Sequence, residues 1–222
     1  QLAGFRNVLI NGDFRVWQRN PDGTSVPIGT TNAFLGPDRW QFQGITTGTV
    51  NVSRNDASTG EKLLMFSVAN TTNTVIMKQA VEAQNLVYGQ QYTLSFYSTA
   101  SAPGAPITSY DSTNSPKDLN PNPGAWEATS LGNDRWSVTF TYTTANGQVN
   151  ADTETGLRVG LSCNGLTYPS NGTYQFWNIQ LEPGPVATPF EQIPIGTELA
   201  LCQRYFVQGG FFSSILYTSD ST

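Results

Sequence analysis

The chain has 222 residues, a formal net charge of −5 and only 12% charged side chains. Thr, Ser, Asn, Gly and Pro together make up 97 residues, too many helix-neutral or helix-breaking side chains for a helical bundle. The sequence has no histidine, which excludes a Ser-His-Asp triad and the usual zinc ligands; its acidic balance argues against a nucleic-acid surface, and no apolar run approaches the ~18 residues of a membrane span.

Taken in chain order, the strand signals recur every eight to fifteen residues or so. Val8-Leu9-Ile10 opens the series. Asp38 to Gln43 places Trp40 and Phe42 on one face, and Thr49 to Arg54 alternates through Val50 and Val52. Leu63 to Val68 and Thr74 to Val81 are more continuously apolar, as central strands covered on both faces would be. Gln91 to Ser98 sets Tyr92, Leu94 and Phe96 on one side. Arg135 to Tyr142 does the same with Trp136, Val138, Phe140 and Tyr142, and Leu157 to Leu161 and Tyr174 to Leu181 complete the set. Asn-Gly pairs at Asn146, Asn164 and Asn171 suit tight turns. The stretch from Ala100 to Ala125, rich in Pro, Ser and Asn, reads as a long irregular loop. Together these features predict an all-β chain, an antiparallel sandwich of many short strands.

Three units are expected. Residues 1–6 read as a linker or stalk remnant. Because the chain begins at Gln1 rather than Met, it reads as part of a longer product, and no secretory signal is visible at its start. Residues 7–191 form the sandwich. Residues 192–222 hold a short helix over Thr197 to Arg204, capped by Thr197, and a strand-like apolar extension. In that extension Phe206, Val207, Phe211, Phe212, Ile215, Leu216 and Tyr217 crowd into twelve residues and are candidates for an oligomer interface. Cys163 and Cys202 read as buried free thiols rather than a disulfide framework.

Three segments carry a resemblance. They are NVLINGDFRVWQR at 7–19, followed by PDRW at 37–40; QQYTLSFYSTAS at 90–101; and FWNIQLEPGPVATPFEQIPIGTELALCQRYF at 176–206. In order and spacing they resemble the carbohydrate-binding-module-like jelly roll of bacteriophage tail fibres and other virion proteins. The resemblance implies a jelly-roll β-sandwich in an exposed virion protein assembled in the host cytoplasm. It also implies a homotrimer among other virion proteins. No cofactor is required, but related modules hold a structural calcium between an early and a late Asp. Here those positions are Asp13 and Asn178.

Flat aromatic side chains match the C–H faces of sugars. Trp126, Tyr110 with its neighbour Asp111, and Tyr168 lie outside the alternating core patterns and are the glycan-binding candidates. Trp17, Trp40, Trp136 and Trp177 read as core. No catalytic residue is assigned, since Glu127, Asp134, Asp152 and Glu154 are acids that nothing pairs as a glycosidase requires. The expected function is a non-enzymatic tail fibre adhesion module contacting host surface glycan, with neither nucleic-acid binding nor membrane insertion. The alternatives are a ligand-free spacer or capsid decoration protein, and a polysaccharide depolymerase.

Overall fold

The computed structural model describes residues 4–111, 113, 115–145 and 156–207. Within these residues twelve strands occur in chain order: β1 Val26–Pro27, β2 Gln41–Phe42, β3 Thr49–Asp56, β4 Lys62–Ala69, β5 Ile76–Val81, β6 Gln91–Ser98, β7 Ile107–Tyr110, β8 Pro116–Asp118, β9 Thr129–Gly132, β10 Arg135–Thr141, β11 Leu157–Ser162 and β12 Gly172–Pro183. Among the described residues, helix is confined to a single turn at Ala83–Asn85 and to α1, Ile195–Gln203. No helix among the described residues is long and apolar enough to cross a membrane.

The strands form two antiparallel sheets, one ordered β1-β3-β4-β12-β6-β10-β9 and the other β2-β5-β11-β7-β8. The chain passes repeatedly from one sheet to the other, so the fold is an antiparallel jelly-roll sandwich. Period-2 alternation creates the core between the sheets. Val50, Val52, Leu64, Phe66, Leu94, Phe96, Phe140 and Phe176 from the larger sheet meet Met77, Ile107, Leu157, Val159 and Leu161 from the smaller. Phe66 and Phe96 both approach Phe176, at centroid distances of 6.0 and 6.2 Å.

Several sequence expectations are corrected. Val8–Ile10 is buried but not a strand. It runs beside the second half of β12, where Val8 N–H donates to the Leu181 carbonyl at 2.8 Å, and the Gln79 side chain satisfies Ile10. The stretch 100–125 is not irregular throughout. It carries β7 and β8, too short to register as alternation. β9 also went unrecognised. Its turn into β10 is made by Asn133 and Asp134, both at positive φ, as the type I′ hairpin requires. β5 is not covered on both faces, because Lys78 and Ala80 point outward. α1 starts at Ile195, two residues before the expected cap. Pro194 supplies the extended N-cap, and no side chain caps it. Of the tryptophans, Trp17 and Trp40 are buried. Trp136 is only half-buried, and Trp177 stacks on Tyr97 at 5.4 Å on the outer side of the larger sheet.

The resembling segments at the two ends of the chain interlock. Asn11 is fully buried at φ 58°, and its side chain bonds Val16 N–H and the carbonyls of Val16 and Asp38. Its own carbonyl accepts Trp40 Nε1 at 3.0 Å, and its N–H donates to the Glu198 carboxyl from α1. Gly12 lies so close to β12 that a Cβ there would meet the Ile179 carbonyl oxygen at 2.1 Å, which explains a glycine in the NGDF motif. Asp38 accepts Gln18 and pairs with Arg19 at 3.5 Å. Arg39 donates to the Ala80 carbonyl and lies 3.3 Å from the Tyr205 ring centroid. A small second core cluster of Ile10, Val16 and Cys202 seals α1 against this knot, whereas Cys163 belongs to the main core.

Candidate functional site

A groove of about 180 Å³ lies on the outward face of the smaller sheet. Alternation puts Thr108 and Tyr110 of β7 outward, and it does the same for Lys78 of β5 and Arg158 of β11. Gly160 stands opposite Lys78, and its missing side chain leaves room for the Pro106 ring, whose Cγ lies 2.8 Å from where a Cβ would be. Gln43 and Ile76 complete one end of the groove.

Trp126 forms the other wall. It is half-buried and held at φ 53°, a conformation that bulky side chains rarely adopt. The strain is sustained by backbone ties. The Trp126 carbonyl accepts Ala105 N–H at 2.8 Å, and Gly104 bridges both Glu127 and Ser162. The preceding loop is anchored by buried Asn120, which accepts Ile107 N–H and donates to the Ala105 carbonyl. Asp118 accepts the N–H groups of Asn120 and Gly124. The polar residues that made this stretch read as a loop are thus the ones that fix Trp126 in place.

Of the sequence candidates, Tyr110 and Trp126 come together in this groove. The Tyr110 hydroxyl accepts Arg158 Nη1 at 2.9 Å, with the guanidinium 4.9 Å from the ring centroid. Asp111 does not join them. It is fully buried, and its Oδ1 accepts Thr113 N–H, Thr113 Oγ1 and Ser115 N–H, so it shapes a turn. Tyr168 is 58% exposed on another loop, where its carbonyl accepts Asn164 Nδ2. That loop borders a separate depression of about 360 Å³ lined by Glu127, Trp136 and Leu166. Lys78 and Arg158 were missed by sequence reasoning because they sit as single outward residues in strands whose other positions are mostly apolar.

The calcium candidates Asp13 and Asn178 each have a side-chain partner within the chain. Asp13 is paired with Arg15, whose guanidinium already supplies the positive charge, while burial raises the Asp13 carboxyl above its ordinary range. The Asn178 amide donates to Glu61 at 2.9 Å from the bulge in β12. The two side chains serve different partners, while Asp13 Oδ1 is buried without a hydrogen-bond partner among the described residues. No cluster of three or more His, Cys, Asp or Glu gathers among the described residues. At the C-terminal end, Phe206 is engaged within the chain: the Arg19 guanidinium lies 3.5 Å from its ring centroid, and its carbonyl accepts Gln18 Nε2. Val207 is 60% exposed. Phe211, Phe212, Ile215, Leu216 and Tyr217 lie outside the described residues.

No protein-family model matches the chain, and no curated protein is similar to it in sequence. Among solved structures, the chain is similar to the enzymatically active domain of bacteriophage CBA120 tailspike protein 4, at 12% identity and a TM-score of 0.44, over 80% of this chain and 21% of that one. It is similar to the xylanase 10B modules of Clostridium thermocellum at 10% identity and a TM-score of 0.44, over 81% and 29%. A mannan-recognising carbohydrate-binding module matches at 13% identity and a TM-score of 0.34, over 73% of this chain and 99% of that one. The chain thus spans less than a third of the first two of these structures.

Proposed function

We propose that the chain is a glycan-binding module whose site is the groove between Trp126 and Tyr110. The observation that carries this reading is Trp126 itself. A large aromatic side chain is held half-exposed in a strained backbone conformation, beside a second aromatic ring and over a floor of Gly160 and Pro106. Burying Trp126 elsewhere would relax the backbone, so its position is better explained by a ligand ring stacking on it than by core packing. Gln43, Thr108 and the Tyr110 hydroxyl supply polar groups for sugar hydroxyls. The groove is read as binding rather than hydrolysing, since among the described residues no carboxylate lines it. The resemblance of residues 7–19, 37–40, 90–101 and 176–206 to virion jelly rolls supports placing the module on a bacteriophage tail fibre. There it acts in host adhesion, with weak single sites multiplied by copy number.

Trp126→Gly tests the site. Glycine adopts φ 53° without strain, so the substitution is expected to leave the unfolding free energy within about 1 kcal/mol of wild type. Retention on immobilised host polysaccharide should be lost. A variant that binds as wild type does would reject the groove, and Tyr168→Ala should leave retention unchanged.

A further inference from the structure

We infer that the groove takes an anionic glycan, its acidic group held by Arg158 and Lys78 while the sugar ring stacks on Trp126. This rests on the groove being the binding site.

Cations are scarce in this chain. It has 11 Lys and Arg against 16 Asp and Glu. Among the described residues six of them, Arg6, Arg15, Arg19, Arg54, Lys62 and Arg204, face a carboxylate within 4.0 Å, and Arg39, Lys117 and Arg135 donate to neutral oxygens of Ala80, Thr143 and Thr188. Lys78 and Arg158 have no carboxylate partner among the described residues, and none of those lining their groove is Asp or Glu. Asp118 lies in the same cross-strand row as Arg158, but its two oxygens accept Asn120 and Gly124 N–H.

Register then places the two cations together. Lys78 is opposite Gly160 and Arg158 is opposite Ala80, so the cations are diagonal neighbours on one face, within mutual reach of long side chains. Burial lowers the Lys78 ammonium below its ordinary range, and the Arg158 charge lowers it further. The fold therefore holds a like-charge pair, partly desolvated, in an acidic protein. An anion between them reverses both costs. Tyr110 fixes the Arg158 guanidinium through one N–H, leaving its others free to donate. Among the described residues the Lys78 ammonium has no hydrogen-bond partner. A carboxylate, sulfate or phosphate on a sugar would satisfy this geometry.

The test uses the full chain and three polymers in affinity electrophoresis and calorimetry: polygalacturonate, the same polymer fully methyl-esterified, and λ-carrageenan as the sulfated arm. Wild type is expected to bind an acidic polymer at least about tenfold more tightly than the neutral ester. Lys78→Met and Arg158→Met should each weaken that binding about ten- to a hundredfold. Raising NaCl from about 0.05 M to about 0.5 M should weaken it as well, a readout independent of any variant's folding. Preference for polygalacturonate assigns a carboxylate, and preference for carrageenan assigns a sulfate. Equal binding of the neutral ester, abolished by Trp126→Gly but indifferent to salt and to both cation variants, overturns this inference and leaves the groove standing. Acidic-polymer binding that survives Trp126→Gly overturns both, as does the absence of binding to all three polymers.

Discussion

Trp40→Ala is expected to cost about 4 kcal/mol or more of unfolding free energy, read from the midpoint of a urea transition at unchanged slope. Trp40 has no exposed surface, and its ring meets Phe14 edge-on at 5.5 Å. Truncation opens a cavity in a site that cannot easily collapse, because the flanking backbone is pinned on both sides. Asp38 N–H donates to the Val16 carbonyl, and Arg39 to the Ala80 carbonyl. Truncation also removes the shorter of the two bonds to the buried Asn11 carbonyl, leaving it only Phe14 N–H at 3.3 Å. Trp177→Ala is the control. It removes a half-buried cross-strand partner of Tyr97 and should cost only about 1 kcal/mol. Equal losses in the two variants would show that the knot around Asn11 is not where the fold is anchored.

The second large effect is one of pH. Glu198 is buried under α1, and its carboxyl is pushed up to about 7, mainly by loss of water, with the Asn11 N–H bond opposing, the Asp13 charge adding to the rise and Arg15 opposing again. A folded-state value above the unfolded one means the native state holds the extra proton. Its contribution is therefore complete below about pH 4.5 and is lost as pH rises to about 7. Over that window the loss is on the order of 3 kcal/mol. Asp13 and Asp38 are raised by burial and act in the same direction, while Glu82 is lowered and acts in the opposite one. Glu198→Gln keeps an oxygen for the Asn11 N–H and carries no charge. At pH 8 it should unfold at a higher urea concentration than wild type, and at pH 4 the two should coincide. A variant less stable than wild type at pH 8 would contradict this.

Much of the sandwich was legible in the sequence because β3 and β10 bury one face, which writes itself as alternation, and because β6, covered on both faces, still alternates apolar residues with small polar Thr93 and Ser95. The strands that escaped notice, β1 and β7 to β9, are two to four residues long, and β8 and β9 have mostly exposed side chains. The knot escaped for a different reason. Asn11, Asp38 and Glu198 are polar residues that look like surface, and nothing local shows that they meet. Within the groove, Trp126 and Tyr110 stood out as aromatics beyond the regular pattern. Lys78 and Arg158 are recognisable only once the register sets them side by side.

The division of the interior into two apolar clusters has a kinetic consequence. Each cluster contains one thiol, Cys163 in the larger and Cys202 in the smaller, both buried and both held protonated by the loss of water around them. An alkylating reagent can reach either sulfur only when its surroundings open. The chain therefore carries two built-in clocks at different addresses. If α1 lifts off while the sheets stay closed, Cys202 is modified first and Cys163 waits for global unfolding. If both sulfurs react at one rate that tracks denaturant identically, the helix and the sandwich open as a single cooperative unit, and the knot at Asn11 is what couples them.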